Sequence, residues 1–168
     1  MTDPILLRDA GPADAEAIRA IYNDAVVNTT AVFDYAPRDA AAQVAWLQAK
    51  AGQDLPVLVA VCDGIVAGYA SFGSFRPWPA YLHTVENAIY IAPERRGQGI
   101  GRRLLGALVE RAAGRGLHTM VAGITADNAA SLRLHESLGF ERAGLIRQCG
   151  WKFDRWLDLV FLQKMLTP

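Results

Sequence analysis

The stretch that decides the fold is residues 86–113, ENAIYIAPERRGQGIGRRLLGALVERAA. The apolar run Ala88-Ile89-Tyr90-Ile91 reads as a strand, and Pro93 follows it. Arg95-Arg96-Gly97-Gln98-Gly99-Ile100-Gly101-Arg102 then leads into a segment whose Leu104, Leu105, Leu108, Val109 and Ala112 share one helical face. Strand, glycine turn and helix follow one another without a gap, and such a turn suits an anion. The first turn of a helix leaves backbone N–H groups unpaired at the positive end of the helix dipole. Gly97, Gly99 and Gly101 take away the Cβ atoms that would hold a phosphate off, and Arg95, Arg96 and Arg102 add charge around it. A diphosphate fits this pattern.

Two other phosphate loops are excluded by single residues. A Walker loop ends in Gly-Lys-Ser or Gly-Lys-Thr, whereas Arg102 and Arg103 follow Gly101. A G-x-G-x-x-G dinucleotide fingerprint needs glycine at 102 or 104, where Arg102 and Leu104 stand. Glycines that merely tighten a strand-to-helix turn are the remaining alternative.

Arg96-x-x-Gly99-x-Gly101 resembles the R/Q-x-x-G-x-G/A loop with which the GNAT family of N-acetyltransferases holds the pyrophosphate of acetyl-CoA. Downstream, Asn128-x-x-Ser131-x-x-x-His135-Glu136-x-x-Gly139-Phe140 resembles the segment that ends that family's cofactor domain. The resemblance implies a mixed α/β fold with a splayed central sheet flanked by helices, and acetyl-CoA as acetyl donor. It places the donor on Ile89, Tyr90 and Ile91, on Arg96, Gly97, Gln98, Gly99, Ile100, Gly101 and Arg102, and on Asn128 and Ser131.

A narrower likeness covers nearly the whole chain. Tyr81-x-x-Thr84-Val85-Glu86, His135-Glu136, Gly150-Trp151-Lys152 with Trp156-x-Asp158, and Tyr22-Asn23-Asp24-Ala25-Val26 resemble the phosphinothricin and methionine sulfoximine N-acetyltransferases. That likeness implies a small amino-acid-like amine as acceptor, and a homodimer. It departs at Phe33, where the sulfoximine branch carries tryptophan.

Composition agrees with a single globular domain over residues 1–168: 52% hydrophobic and 20% charged residues are enough for a sizeable core. Seventeen basic and 17 acidic residues cancel, so nothing draws the chain to nucleic acid or an anionic membrane. No apolar run reaches the ~18 residues of a spanning helix, and Met1-Thr2-Asp3-Pro4 lacks a signal-peptide pattern, so the cytoplasm is the expected location. Cys62 and Cys149 have no C-x-x-C spacing and are read as reduced thiols; His83 and His118 have no ligand spacing, and no metal is expected.

Residues 5–8 read as a first strand and residues 11–25 as an amphipathic helix, with Pro12 in its first turn and Ile18, Ile21, Tyr22 and Ala25 on one side. Residues 28–37 read as a loop and 39–51 as a second helix. Residues 57–61 and 65–72 read as strands joined by Asp63-Gly64, a hairpin signal. Two prolines break the pattern over 74–81. Residues 119–124 read as a strand, 128–138 as a short helix ended by Gly139, and 156–165 as the final strand.

The chemistry implied is attack of a neutral amine on a thioester. An α-amine is largely protonated at neutral pH, so a base must remove a proton. Glu86 is the choice, just ahead of the cofactor strand, where burial would raise its pKa; an ion pair with an arginine is its alternative role. A backbone N–H of residues 89–91 would meet charge on the thioester oxygen. His135 stands where many relatives have a tyrosine that protonates the departing thiolate; it either donates or only hydrogen-bonds within a packed helix, and Tyr90 is a second donor choice. Arg76, between Phe75 and Trp78, suits an acceptor carboxylate, unless it is a solvated surface arginine. Phe33, Phe75, Tyr81 and Val85 complete the expected acceptor site, Phe33 serving either as its wall or as packing. No cysteine lies in either motif, so transfer is expected to be direct, in a ternary complex. Other acceptors (a protein N-terminus, an aminoglycoside, a polyamine) and a non-catalytic acyl-CoA sensor are the competing readings.

Overall fold

The computed structural model describes residues 5–166; Met1-Thr2-Asp3-Pro4, read above for a leader, lies outside them. Seven strands form one sheet in the order β1-β2-β3-β4-β5-β7-β6. In chain order the elements are β1 (Leu6–Asp9), α1 (Ala15–Asn28), α2 (Ala40–Gly52), β2 (Val57–Cys62), β3 (Ile65–Ser74), β4 (Thr84–Ile91), α3 (Ile100–Gly114), β5 (Thr119–Thr125), α4 (Ala129–Glu136), β6 (Glu141–Lys152) and β7 (Arg155–Met165). This is the mixed α/β architecture expected from the sequence.

The local chemistry explains most boundaries. Asp39 caps α2 by accepting from the Ala42 N–H at 2.7 Å. Asp63 and Gly64 both adopt positive φ, 53° and 76°, and turn β2 tightly into β3. The first helix runs three residues beyond the expected end, to Asn28, because Val26 also packs inward with Ile18, Ile21, Tyr22 and Ala25.

Two apolar layers sandwich the sheet. On one face Leu104, Leu105, Leu108 and Ala112 of α3 meet Leu58, Ala60, Ala70, Val85 and Met120. On the other, α1 and α2 cover Val57, Val59, Tyr69 and Tyr90. Because side chains alternate along a strand, β4 contributes Val85, Ile89 and Ile91 to the first face and Tyr90 to the second.

The feature that positions the site is the junction of β4 with β5, the sheet's parallel pair. The two strands pair only at Thr84↔Thr119, Val85↔Met120 and Glu86↔Val121. Beyond that point β4 stays with β3 as far as Gly68↔Ile91, and β5 stays with β7 as far as Thr125↔Leu159. The strands therefore part after Glu86, leaving alternate backbone N–H and C=O groups of residues 87–91 without a β5 partner.

Two expectations need correction. Glu86 lies inside β4, at its last pairing with β5, rather than ahead of the strand. Residues 141–152, not read as a strand, form β6, a long edge strand paired only with β7. Its residues 141–149 are all exposed, so no in–out alternation marks it, and its turn, Phe153-Asp154, achieves φ of 52° and 55° without glycine.

Candidate active site

The glycine turn takes the form its sequence requires. Gly97 and Gly99 have φ of 76° and 79°, in the left-handed region, and Gly99 is the N-cap of α3. A Cβ added at either would meet nothing within 4 Å, so the space over the turn is open to a ligand. A cleft of about 750 Å³ runs along it, lined by Ile89, Tyr90 and Ile91 of β4, by Arg95, Arg96, Gly97, Gly99, Ile100, Gly101 and Arg102, and by Asn128 and Ser131. Of the expected donor-binding residues, only Gln98 stands apart: its side chain turns back to donate to the Glu94 carbonyl at 3.2 Å.

Arg96 is held from two sides. Its Nη2 donates to Asp24 Oδ2 at 3.1 Å and its Nε to the Ile91 carbonyl at 3.4 Å. Arg102 donates to Ser137 Oγ at 2.8 Å. At the far end of the cleft Asn128 caps α4, accepting from the Ser131 N–H at 3.1 Å.

A second cavity, about 350 Å³, fills the gap where β4 and β5 part, and shares Ala31, Ile89, Tyr90, Asn128 and Ser131 with the cleft. Glu86, Gly123 and His135 also line it. Gly123 is a close approach: a Cβ there would lie 3.0 Å from Glu86 Oε1. Glycine inside a strand signals such an approach, and the sequence reading passed it over.

Burial raises the Glu86 pKa above the ordinary glutamate value, and the positive charge of Arg76 opposes the rise without cancelling it. Arg76 Nη1 lies 3.8 Å from Glu86 Oε2 and donates to the Phe75 carbonyl at 2.7 Å, with the guanidinium 4.1 Å from the centroid of the Phe75 ring. Phe75 in turn meets Tyr81 and Phe161 edge-on, at 5.6 and 6.4 Å between centroids. Glu86, the Arg76 guanidinium and two of the expected aromatics, Phe75 and Tyr81, thus form one group.

Val85 and Phe33 fall elsewhere. Val85 is 4% exposed in the core under α3, on the face opposite Glu86, because neighbours along a strand point to opposite sides. Its side chain does not line the Glu86 cavity. The Phe33 ring lies over Gly150 of β6, where a Cβ would come within 2.5 Å of it.

His135 is 1% exposed. Nδ1 lies 2.8 Å from the Ser131 carbonyl, which makes it a donor, and Nε2 lies 3.1 Å from Asn87 Oδ1. Burial lowers its pKa, against the raising effect of the Ser131 hydrogen bond. Asn87, also missed in the sequence, follows the last β4–β5 pairing and donates through Nδ2 to the Val121 carbonyl at 3.3 Å. It spans the parting strands and ties them to α4. Tyr90, the second donor choice, is buried against Tyr22 and Tyr69, and burial raises its pKa further from neutrality.

Among the described residues no cluster of three or more His, Cys, Asp or Glu side chains could hold a metal, and no helix is long and apolar enough to cross a membrane. Cys62 is buried and Cys149 is exposed on β6; neither lines the two cavities.

Residues 17–140 match the acetyltransferase (GNAT) family. Over 163 residues the chain is 52% identical to the L-methionine sulfoximine/L-methionine sulfone acetyltransferase of Pseudomonas paraeruginosa, covering 96% of this chain and 95% of that protein. The crystal structure of an N-acetyltransferase from Staphylococcus aureus superposes with a TM-score of 0.97 at 45% identity, covering 98% of this chain and 100% of the other. A GNAT superfamily phosphinothricin acetyltransferase from Sinorhizobium meliloti, solved in complex with acetyl-CoA, superposes at 0.94 with 40% identity over 97% of this chain and 89% of that one.

Proposed function

The chain belongs to the GNAT family of acetyltransferases, and from that premise we propose that it moves the acetyl group of acetyl-CoA to the α-amine of a small amino acid of the methionine sulfoximine, methionine sulfone or phosphinothricin type. The observation that carries the acceptor class is the adjacency of Glu86 and Arg76, with Oε2 and Nη1 3.8 Å apart. An α-amino acid bears amine and carboxylate on one carbon, so a base for the first and a guanidinium for the second must stand side by side.

The glycine turn, with its open N–H groups, fits a diphosphate, and Arg95, Arg96 and Arg102 supply charge at its edge. Acetyl-CoA, when bound, supplies the thioester. Glu86 takes the proton from the acceptor's ammonium group, and its raised pKa makes it the better match to that task. An unpaired N–H among residues 89–91 faces the thioester oxygen, as a fixed dipole that need not reorganise. As the C–N bond forms and the C–S bond breaks, the first of the amine's protons stays on Glu86, the second passes from nitrogen to the departing sulfur, and CoA leaves along the cleft as the thiol. His135, buried against Phe140 with its Nδ1–H donated to the Ser131 carbonyl, is assigned to packing α4 at the mouth of the splay rather than to donating a proton.

The remaining expectations stand as parts of this proposal: one catalytic domain over the whole chain, working in the cytoplasm as a homodimer. For the dimer, the support is the exposed apolar surface of the β6–β7 hairpin, where Leu145, Ile146, Trp151, Phe153 and Trp156 are all between 45% and 57% exposed.

Thiol release from acetyl-CoA with a panel of amines tests the reading. Phosphinothricin, methionine sulfoximine and methionine sulfone are expected to give fast release, and spermidine, an aminoglycoside and an N-terminal peptide slow release. Fast release with spermidine alone would refute the amino-acid acceptor; release with none, despite acetyl-CoA binding, would favour the sensor reading.

A further inference from the structure

Lys152 is a buried cation with no role in the chemistry described so far. It is 5% exposed, at the end of β6, and desolvation lowers its pKa, with the charge of Asp34 working in the other direction. Its Nζ donates to the Val26 carbonyl at 2.6 Å and to the Val32 carbonyl at 2.7 Å. Val26 lies in the last turn of α1, where carbonyls lack helical partners and the dipole favours a cation. Val32 lies in the loop that follows. One ammonium group therefore joins the end of α1, the loop and β6.

The neighbouring residues repeat the attachment. Tyr35 donates its hydroxyl to the Trp151 carbonyl at 2.6 Å. Phe33 lies on Gly150, which has no side chain to keep the ring away. Three consecutive residues, Gly150, Trp151 and Lys152, thus receive Phe33, Tyr35 and Val32. The front of the loop is tied separately: Thr30 Oγ1 donates to Asp127 Oδ1 at 3.0 Å, and Thr125 Oγ1 to the Thr30 carbonyl at 3.2 Å. Ala31, between these two attachments, lines both the donor cleft and the Glu86 cavity.

We propose that Lys152 is a positioning residue for the acceptor: by clasping loop 29–35 to β6 it sets the wall that the loop presents to the amino-acid side chain, without touching the reacting atoms. The proposal rests on the reading of Phe33, which this loop carries, as a wall of the acceptor site. Taking a lysine out of water with two carbonyls and the Phe153 ring face, 5.2 Å from Nζ, but no hydrogen-bonded carboxylate is unfavourable unless the geometry it enforces is needed. The loop offers no helix or strand of its own to hold its shape, so tertiary contacts must do so.

The test is a comparison of Michaelis constants in Lys152→Met, Gly150→Ala, Tyr35→Phe and Phe33→Ala, using acetyl-CoA and the fastest amino-acid acceptor of the panel. Lys152→Met is expected to raise the acceptor KM roughly tenfold, the effect of one charge-assisted hydrogen bond, and to leave the acetyl-CoA KM within about twofold. Gly150→Ala, which forces the Phe33 ring to move, is expected to do the same, and exposed Tyr35→Phe to do so more weakly. If Lys152→Met does not fold, Gly150→Ala and Tyr35→Phe carry the test. Folded variants that keep the acceptor KM, or that raise both constants equally, overturn the clasp. Phe33→Ala separates the two claims: an unchanged acceptor KM there refutes the loop as acceptor wall, whereas a raised KM beside an unaltered Lys152→Met refutes only the clasp.

Discussion

The donor cleft and the acceptor site are built by different means. The donor cleft draws the largest continuous part of its lining from one segment, residues 89–102, where glycines in left-handed conformation present backbone N–H groups. The proposed acceptor site gathers Glu86 from β4, Arg76 and Phe75 from the loop before it, Phe161 from β7 and the loop after α1 that Lys152 contacts. The first depends on local conformation, the second on long-range packing of individual side chains. A site made of backbone tolerates side-chain changes that a site made of side chains does not.

The largest expected effect falls on the acceptor side. Glu86→Gln should lower kcat roughly 100- to 10,000-fold, the usual worth of a general base, with the acetyl-CoA KM little changed. The wild-type rate should fall as pH drops through the raised Glu86 pKa, so the acidic limb lies above the range of an ordinary glutamate. The same variant should gain thermal stability near neutral pH. Glu86 binds its proton more tightly folded than unfolded, so its ionisation above the unfolded pKa works against the fold, and glutamine removes that effect. A Glu86→Gln enzyme with full kcat would erase the contrast.

On the donor side the expected loss is smaller. Arg96→Ala should raise the acetyl-CoA KM roughly tenfold, the worth of one charge-assisted hydrogen bond, because the N–H groups of the turn remain. A loss as large as that of Glu86→Gln would mean that side chains, not backbone, hold the diphosphate.

Two further changes sharpen the contrast by acting on stability. Val85→Ala, beside the base but facing the core, should cost about 2 kcal/mol in denaturant unfolding and leave the acceptor KM unchanged. Asp14→Asn should cost about 1 kcal/mol near neutral pH, discounted for the partial exposure of Arg8. Arg8 donates to both Asp14 oxygens, at 2.7 and 2.9 Å, and Gly11 N–H to one at 2.7 Å, and these hold the Asp14 pKa below the ordinary value, chiefly through Arg8. That contribution is present above the unfolded pKa and is lost as pH falls through the folded one, so the wild type and Asp14→Asn should converge in strong acid.

The same contrast governs what could be read in the sequence. The glycine turn, its helix, the β2–β3 hairpin and the Asn128 cap all announce themselves within a few residues, because each is determined by local conformation. The grouping of Arg76, Phe75 and Tyr81 near Glu86 is legible because they crowd into one proline-broken segment. The Val85 side chain faces the core and not the Glu86 cavity because neighbours along a strand alternate sides, which nearness in sequence to Glu86 does not convey. The β6 strand was missed because an edge strand exposed along most of its length carries no periodic signal. Lys152, Asn87 and Gly123 act through residues 34 to 126 positions away, a separation no local pattern records.

In the proposed reaction acetyl donor and amine meet in one cavity where β4 and β5 part, with Glu86 as base and no acetylated enzyme between them. Initial rates of thiol release over a grid of acetyl-CoA and amino-acid concentrations test this most directly. Double-reciprocal lines that intersect are expected, as a ternary complex requires; parallel lines, the signature of a covalent acetyl-enzyme, would refute direct transfer.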